Sequence, residues 1–218
     1  QLVKLGIVND SQPIFPFIGL GLFVLILLGS IYAFYKDKKH PMTMRELVIF
    51  SMVFLISVIL MKLISMIPNR QFDLAFVYPA AMCAMLIKIL LNERMAFLGS
   101  ILLASIGTVM FNDSSSVAFN FTIGLYFIIS CLAGILALTN QSERSKIFQA
   151  GIFVSIVNII VIAILLFIPN SKYNALQYAY YFLMGIGSGL GSAVFAIGFI
   201  PFVEAGFGIL STMKLIEL

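Results

Sequence analysis

Apolar residues run through this chain in seven long stretches separated by short polar breaks. The stretches are Ile14–Tyr35, Met44–Ile67, Leu74–Leu91, Met95–Phe111, Val117–Thr139, Ile147–Ile168 and Ala175–Val203. The breaks read KDKKHP, PNRQFD, NER, NDSSS, NQSERSK and PNSKYN, rich in Pro, Asn and Ser as tight interhelical connections are. A helix crosses a bilayer core with about 20 apolar residues, within a range of about 17–25. The stretches meet or approach that length, so the pattern predicts an all-α membrane protein, a bundle of seven transmembrane helices. A membrane β-barrel would alternate apolar and polar positions in segments of about ten residues instead.

Composition agrees: 61% of the 218 residues are hydrophobic and 10% are charged, against about 25% charged in soluble chains. The bilayer is therefore the first partner. The net charge of +4 matters less than its placement. Lys36, Lys38, Lys39, Arg45, Lys88, Arg94, Arg144, Lys146 and Lys214 collect on one side of the predicted bundle, nine in all, against Lys4, Arg70 and Lys172 on the other. The rule that cytoplasmic loops carry the excess of cations places the N-terminus outside and the C-terminus inside. Asp10, Asp73 and Asp113 reduce the positive charge of the outer loops further. No basic cluster alternates with aromatics, which excludes a nucleic acid polymer as partner.

Charge inside hydrocarbon costs at least about 2.5–3.5 kcal/mol on insertion scales, so each polar residue in a span needs a reason. Lys62 lies one to two turns from the outer end of the second span. Its stem can snorkel outward; the alternative is a partner or anionic ligand facing the bundle interior. Lys88 and Glu93, at the inner end of the third span, read as interfacial. Asn158, near the middle of the sixth span, reads as an interhelical hydrogen-bonding group, with ligand binding as the alternative, and Asn120 and Thr122 read the same way. Tyr173, Tyr178, Tyr180 and Tyr181 suit an aromatic belt at the outer interface; beside Lys62 they also stand at the depth of a small-molecule or lipid ligand entering from outside.

The run GIGSGLGS, Gly185 to Ser192, fits neither GxGxxG nor a phosphate loop ending in GK[ST]. On a helix Gly185 and Gly189 share one face, and Gly187 and Gly191 another, two small-residue surfaces for close helix packing. A hinge is the alternative, since glycine weakens a helix by about 1 kcal/mol relative to alanine. Cys83 and Cys131 lie inside apolar runs without metal-ligand spacing, and His40 is the one histidine. Neither a metal site nor a catalytic triad can be assembled, so no catalytic residue and no cofactor is assigned to this chain. Spans one to three do not recur in four to six, which counts against an inverted-repeat transporter.

The chain begins at Gln1, without methionine or a signal peptide, and stops on KLIEL; a segment of a longer polypeptide is the expectation. Its last stretch, GFIPFVEAGFGILSTMKLIEL, carries Pro201, Glu204, Phe207, Gly208, Thr212, Leu215, Glu217 and Leu218 in the pattern P-x-x-E-x-x-F-G-x-x-x-T-x-x-L-x-E-L. With YPAAMCAMLIKILLNERMA around Pro79, ERSKIFQAGIFVSIVN around Asn158, and VKLGIV near the start, it resembles the membrane domain of the seven-transmembrane receptor–HD hydrolase family, the PgpH-type cyclic di-AMP phosphodiesterases.

The resemblance implies residues 1–13 as an extracellular lead-in from an extracellular domain, 14–203 as the membrane domain, and 204–218 as a cytoplasmic exit toward an HD domain. That HD domain would hold a divalent metal pair and hydrolyse cyclic di-AMP; none of its catalytic residues lies here. The implied setting is a bacterial cell membrane and the implied role is relaying an extracellular or membrane signal to the catalytic domain. The alternatives are a permease or channel with Lys62, Asn158 and Glu204 on its path, or an inert anchor. A second copy of the chain is a further candidate partner. At the exit, Pro201 is expected to break or kink the helix near the inner boundary. Gly206 and Gly208 would loosen the chain there, Thr212 would cap a new helix, and Glu204 would pair with Arg144 or Arg94.

Overall fold

The computed structural model describes residues 43–67, 73–112, 120–138, 144–168 and 174–207, with single positions between 25 and 36. The chain divides into two units, Gln1–Met42 and Thr43–Leu218. In the first unit Leu25, Ile26, Leu28, Gly29, Tyr32 and Ala33 have helical backbone. The Lys36 amide donates to the Tyr32 carbonyl at 3.0 Å, and the Lys36 ammonium lies 5.9 Å from the centre of the Tyr32 ring.

The described residues of the second unit form helices joined by short connections. Helix α1 spans Met44–Ser65, a 3₁₀ turn spans Leu74–Val77, and α2 spans Ala80–Leu90. Then follow α3 (Glu93–Met110), α4 (Phe121–Ala137), α5 (Arg144–Phe167) and α6 (Ala175–Phe207). Local chemistry sets the starts. Thr43 and Glu46 close a reciprocal capping box on α1, with Thr43 Oγ1 accepting from the Glu46 amide at 3.3 Å and Glu46 Oε2 from the Thr43 amide at 2.8 Å. Asn92 Oδ1 caps α3 at the Met95 amide, 2.9 Å. Asn120 caps α4 at the Ile123 amide and also reaches back to α3, its Nδ2 donating to the Phe111 carbonyl and its amide to the Thr108 carbonyl at 2.8 Å. One asparagine thus fixes both ends of a connection.

Met44–Ser65, Glu93–Met110, Arg144–Phe167 and Ala175–Val203 are long and apolar enough to cross a bilayer; Leu74–Leu90 and Phe121–Ala137 are shorter apolar stretches. The polarity is inside out. On α5, Phe148, Ile152, Ile156, Ile160 and Ile164 are exposed at four-residue spacing, while Ser155 and Asn158 are buried. An apolar stripe that wide turned outward is a lipid-facing surface, and the chain is a multi-pass membrane protein.

At the centre lies α2, buried from Ala80 to Ile89. At about 1.5 Å per residue its eleven residues span only about 16 Å, roughly half of the hydrocarbon core. Small residues let its neighbours close in. A Cβ on Gly134 of α4 would lie 3.1 Å from both Ala81 Cβ and Met85 Cγ, and one on Gly99 of α3 would lie 2.6 Å from Ile87 Cδ1. Helices α5 and α6 pair extensively, and α6 also packs on α2. Helix α6 runs unbroken through Pro201 to Phe207, so of the expected break or kink at Pro201 the break does not occur. A proline removes one i→i−4 bond, and the turns on either side retain theirs. Gly206 is helical too, whereas Gly208 and Thr212 lie outside the described residues.

Candidate functional site

The polar centre of the bundle starts from Pro79. A proline disfavours helical backbone at the residue before it, and Tyr78 is extended at φ −61°, ψ 126°. The third predicted span is therefore made in two pieces, the 3₁₀ turn and α2, with a break at Tyr78–Pro79 deep inside protein. Asp73 caps the upper piece, its carboxylate accepting from the Ala75 amide at 3.1 Å. Irregular backbone at membrane depth is tolerated only where its polar groups find partners.

Those partners come from three helices. The Tyr126 phenol on α4 donates to the Phe76 carbonyl at 3.0 Å, and the Ser188 hydroxyl on α6 donates to the Tyr78 carbonyl at 2.7 Å. The Cys131 thiol on α4 donates to the Ala80 carbonyl at 3.3 Å. The Tyr78 phenol in turn donates to the Ser57 carbonyl of α1 at 3.0 Å. Carbonyls freed by a broken membrane helix often coordinate cations in transporters. Here protein donors take them, which makes this break a junction between helices.

The α5–α6 seam adjoins it. A Cβ on Gly151 would stand 2.5 Å from Ala193 Cβ and 3.2 Å from the Gly189 carbonyl; one on Gly185 would stand 2.8 Å from Ile162 Cδ1; one on Gly189 would meet the side chain and backbone of Ser155. This approach lets polar groups reach backbone across the seam. Ser155 Oγ contacts the carbonyls of Gly151 at 2.9 Å and Ile186 at 3.1 Å. Asn158, fully buried, directs Nδ2 to the Gly185 carbonyl at 3.5 Å and to Ser188 Oγ at 3.4 Å. Asn158 Oδ1 has no donor among the described residues. On the opposite face, a Cβ on Gly187 would meet no heavy atom within 4 Å and one on Gly191 only Pro79 Cβ, at 3.9 Å.

At the other end of α2, Lys88 is 9% exposed and donates from Nζ to the Ile135 carbonyl at 2.7 Å. Its position beside a polar break suggested an interfacial lysine, but α2 is enclosed on all sides and carries the side chain inward with it. Ile135 lies in the last turn of α4, which ends at Ala137, where carbonyls lack helical partners. The Glu93 carboxylate is 3.6 Å from the ammonium and half exposed. Lys62 sits exposed in the last turn of α1, and Arg94 and Arg144 are exposed in the first turns of α3 and α5. Tyr180 is exposed, but Tyr181 is buried, packs edge-on against Phe76 at 5.6 Å and accepts from the Asp73 amide at 3.5 Å; it belongs to the junction rather than to an outer belt. Tyr173 lies outside the described residues, and of Glu204 only the helical backbone is described.

The sequence reading singled out Asn158, Gly185 and Gly189, which the structure brings together. It missed Ser57, Tyr78, Tyr126 and Ser188 as partners of one junction. The available signal was a proline inside an apolar span, which demands donors from elsewhere. Among the described residues no three His, Cys, Asp or Glu side chains gather where they could hold a metal.

Comparison with known proteins gives this arrangement its family. The chain is 37% identical over its whole length to "Cyclic-di-AMP phosphodiesterase PgpH" of Bacillus subtilis (strain 168), covering 31% of that protein. It is 31% identical over its whole length to the protein of the same description in Listeria monocytogenes serotype 1/2a (strain 10403S), covering 30%. The chain thus spans about a third of the length of these curated relatives. No solved structure matches it. Residues 14–211 match the family model "7TM receptor with intracellular HD hydrolase", and with these relatives the match places the chain in that family.

Proposed function

We propose that this chain is the transmembrane sensory and coupling domain of a membrane-bound HD phosphodiesterase that hydrolyses cyclic di-AMP. It crosses the membrane seven times, N-terminus outside and C-terminus inside, with residues 1–13 leading in from an extracellular domain and 204–218 leading out to the HD domain. The divalent metal pair and the hydrolytic residues belong to that HD domain. The observation that carries the reading is the course of α6. It is held at the Tyr78–Pro79 break by Ser188 and at α5 by Gly185 and Gly189, then continues as one helix to Phe207. Its 33 residues exceed by about a dozen the 20 or so a bilayer needs. A helix anchored in the polar centre and extending past the lipid is suited to carry a change of packing outward. Coupling requires a signal that binds two states of the bundle differently.

The test replaces the membrane domain of the full-length protein with an unrelated membrane anchor and measures hydrolysis with and without the regulating condition. Hydrolysis is expected to persist while its regulation disappears. Retained regulation would reduce the domain to a tether and end the sensory reading.

The exit motif Pro201, Glu204, Phe207, Gly208 and Thr212 is the segment through which the change would leave the membrane. Within it Glu204 is proposed to pair with Arg144 or Arg94 at the cytoplasmic surface. Double-mutant cycles of Glu204→Gln with Arg144→Ala and with Arg94→Ala are expected to show a coupling of roughly 0.5–1 kcal/mol for one of the two arginines. Strict additivity in both cycles would exclude the pair.

A further inference from the structure

The junction holds two buried acceptors that compete for one hydroxyl hydrogen. Ser188 accepts from Asn158 Nδ2 at 3.4 Å and donates to the Tyr78 carbonyl at 2.7 Å. Asn158 Oδ1 is buried with no donor among the described residues, a condition that costs about 1–3 kcal/mol. The neighbouring hydroxyls are committed: Ser155 to the carbonyls of Gly151 and Ile186, Ser192 to the Ser188 carbonyl at 2.8 Å, and Tyr126 to the Phe76 carbonyl. The Tyr78 carbonyl, by contrast, has a second donor, the Ala80 amide at 2.8 Å. It can release Ser188 and remain bonded.

We propose that the Ser188 hydroxyl is a two-position hydrogen-bond switch between α6 and the broken third span. In the position described here it holds the Tyr78 carbonyl and leaves Asn158 Oδ1 without a donor. In the other, the Asn158 carboxamide turns about its soft terminal torsion and accepts the Ser188 hydrogen, and the Tyr78–Pro79 break comes free of α6. Turning the carboxamide gives up the two long contacts of Nδ2, to the Gly185 carbonyl at 3.5 Å and to Ser188 Oγ at 3.4 Å, and gains a bond at Oδ1 while the Tyr78 carbonyl keeps the Ala80 amide, so the two positions differ by about one net hydrogen bond, a gap small enough for a ligand to reverse. The small residues of the seam, Gly151, Gly185, Gly189 and Ala193, place no bulky side chain in the way of a slight shift. The inference rests on the coupling reading for its role in signalling, but its test reads the junction itself and needs no catalysis.

The test uses the native cysteine. Cys131 is fully buried and bonded to Ala80 just past the break, so its rate of modification by N-ethylmaleimide reports opening there. Peptide mass spectrometry follows that rate in the full-length protein in membranes. Asn158→Leu removes the second acceptor and is expected to slow modification roughly fivefold; Ser188→Ala removes the tie and is expected to speed it roughly fivefold, the factor one net hydrogen bond confers. In the Ser188→Ala background, Asn158→Leu should change the rate less than about twofold. Additive effects, or faster modification in Asn158→Leu, overturn the switch. Ser192→Ala removes a hydroxyl bonded only within its own helix and serves as the second variant. The proposal stands on that arm if Ser192→Ala leaves the rate unchanged, and falls if it matches Ser188→Ala.

Discussion

Gly189→Ala is expected to destabilise the membrane domain by about 2–4 kcal/mol, whereas Gly187→Ala, two residues away on the same helix, is neutral or slightly stabilising. A Cβ at position 189 would lie 2.5 Å from the Ser155 amide nitrogen and 2.6 Å from Ser155 Cα. Those atoms belong to the backbone of α5 and cannot rotate aside. The two helices must part, and parting them stretches the bond from Ser155 Oγ to the Ile186 carbonyl and those from Asn158 to Gly185 and Ser188. At Gly187 nothing lies within 4 Å, so alanine contributes only its better helix propensity, about 0.5–1 kcal/mol. Thermal unfolding of the purified protein in one detergent compares the two. A loss at Gly187 as large as that at Gly189 would mean that the seam is not the close contact described.

The second large effect is expected at Lys88. Replacing it with methionine keeps most of the apolar stem and removes the ammonium that donates to the Ile135 carbonyl. That bond is charge-assisted, sits where α4 ends, and is shielded from water, so its loss is expected to cost about 2–3 kcal/mol. Glu93→Gln touches the same cluster from its exposed side, at 3.6 Å and with the carboxylate 53% exposed, and is expected to cost under about 1 kcal/mol. Equal losses in the two variants would transfer the stabilisation from the helix end to the ion pair.

The lengths of the long helices were legible because lipid imposes a simple rule on them. Met44–Ile67 and Ile147–Ile168 were read nearly to the residue, against Met44–Ser65 and Arg144–Phe167 in the structure. What joins the helices was less legible. Pro79 announces a broken span, but its donors are Tyr126 and Ser188, far along the chain, and no local pattern names them. The burial of Lys88 was missed for a related reason. Its position in the chain indicates depth along the helix, whereas its burial depends on how many neighbours enclose α2. Pro201 does not end its helix, because one missing hydrogen bond is not enough where the flanking turns are intact.

The unbroken α6 also has the dimensions of a lever arm. From Ser188, where it is tied to the bundle centre, to Phe207 it runs 19 residues, about 28 Å at 1.5 Å per residue. A tilt of about 5° pivoting at that tie would sweep the Phe207 end through about 2.5 Å, as large as the helix shifts that switch other proteins. A jointed helix would dissipate this motion at its joint. A continuous one would deliver it beyond Phe207, so a small change of angle at the Ser188 tie would become a step of molecular size at the far end of the helix.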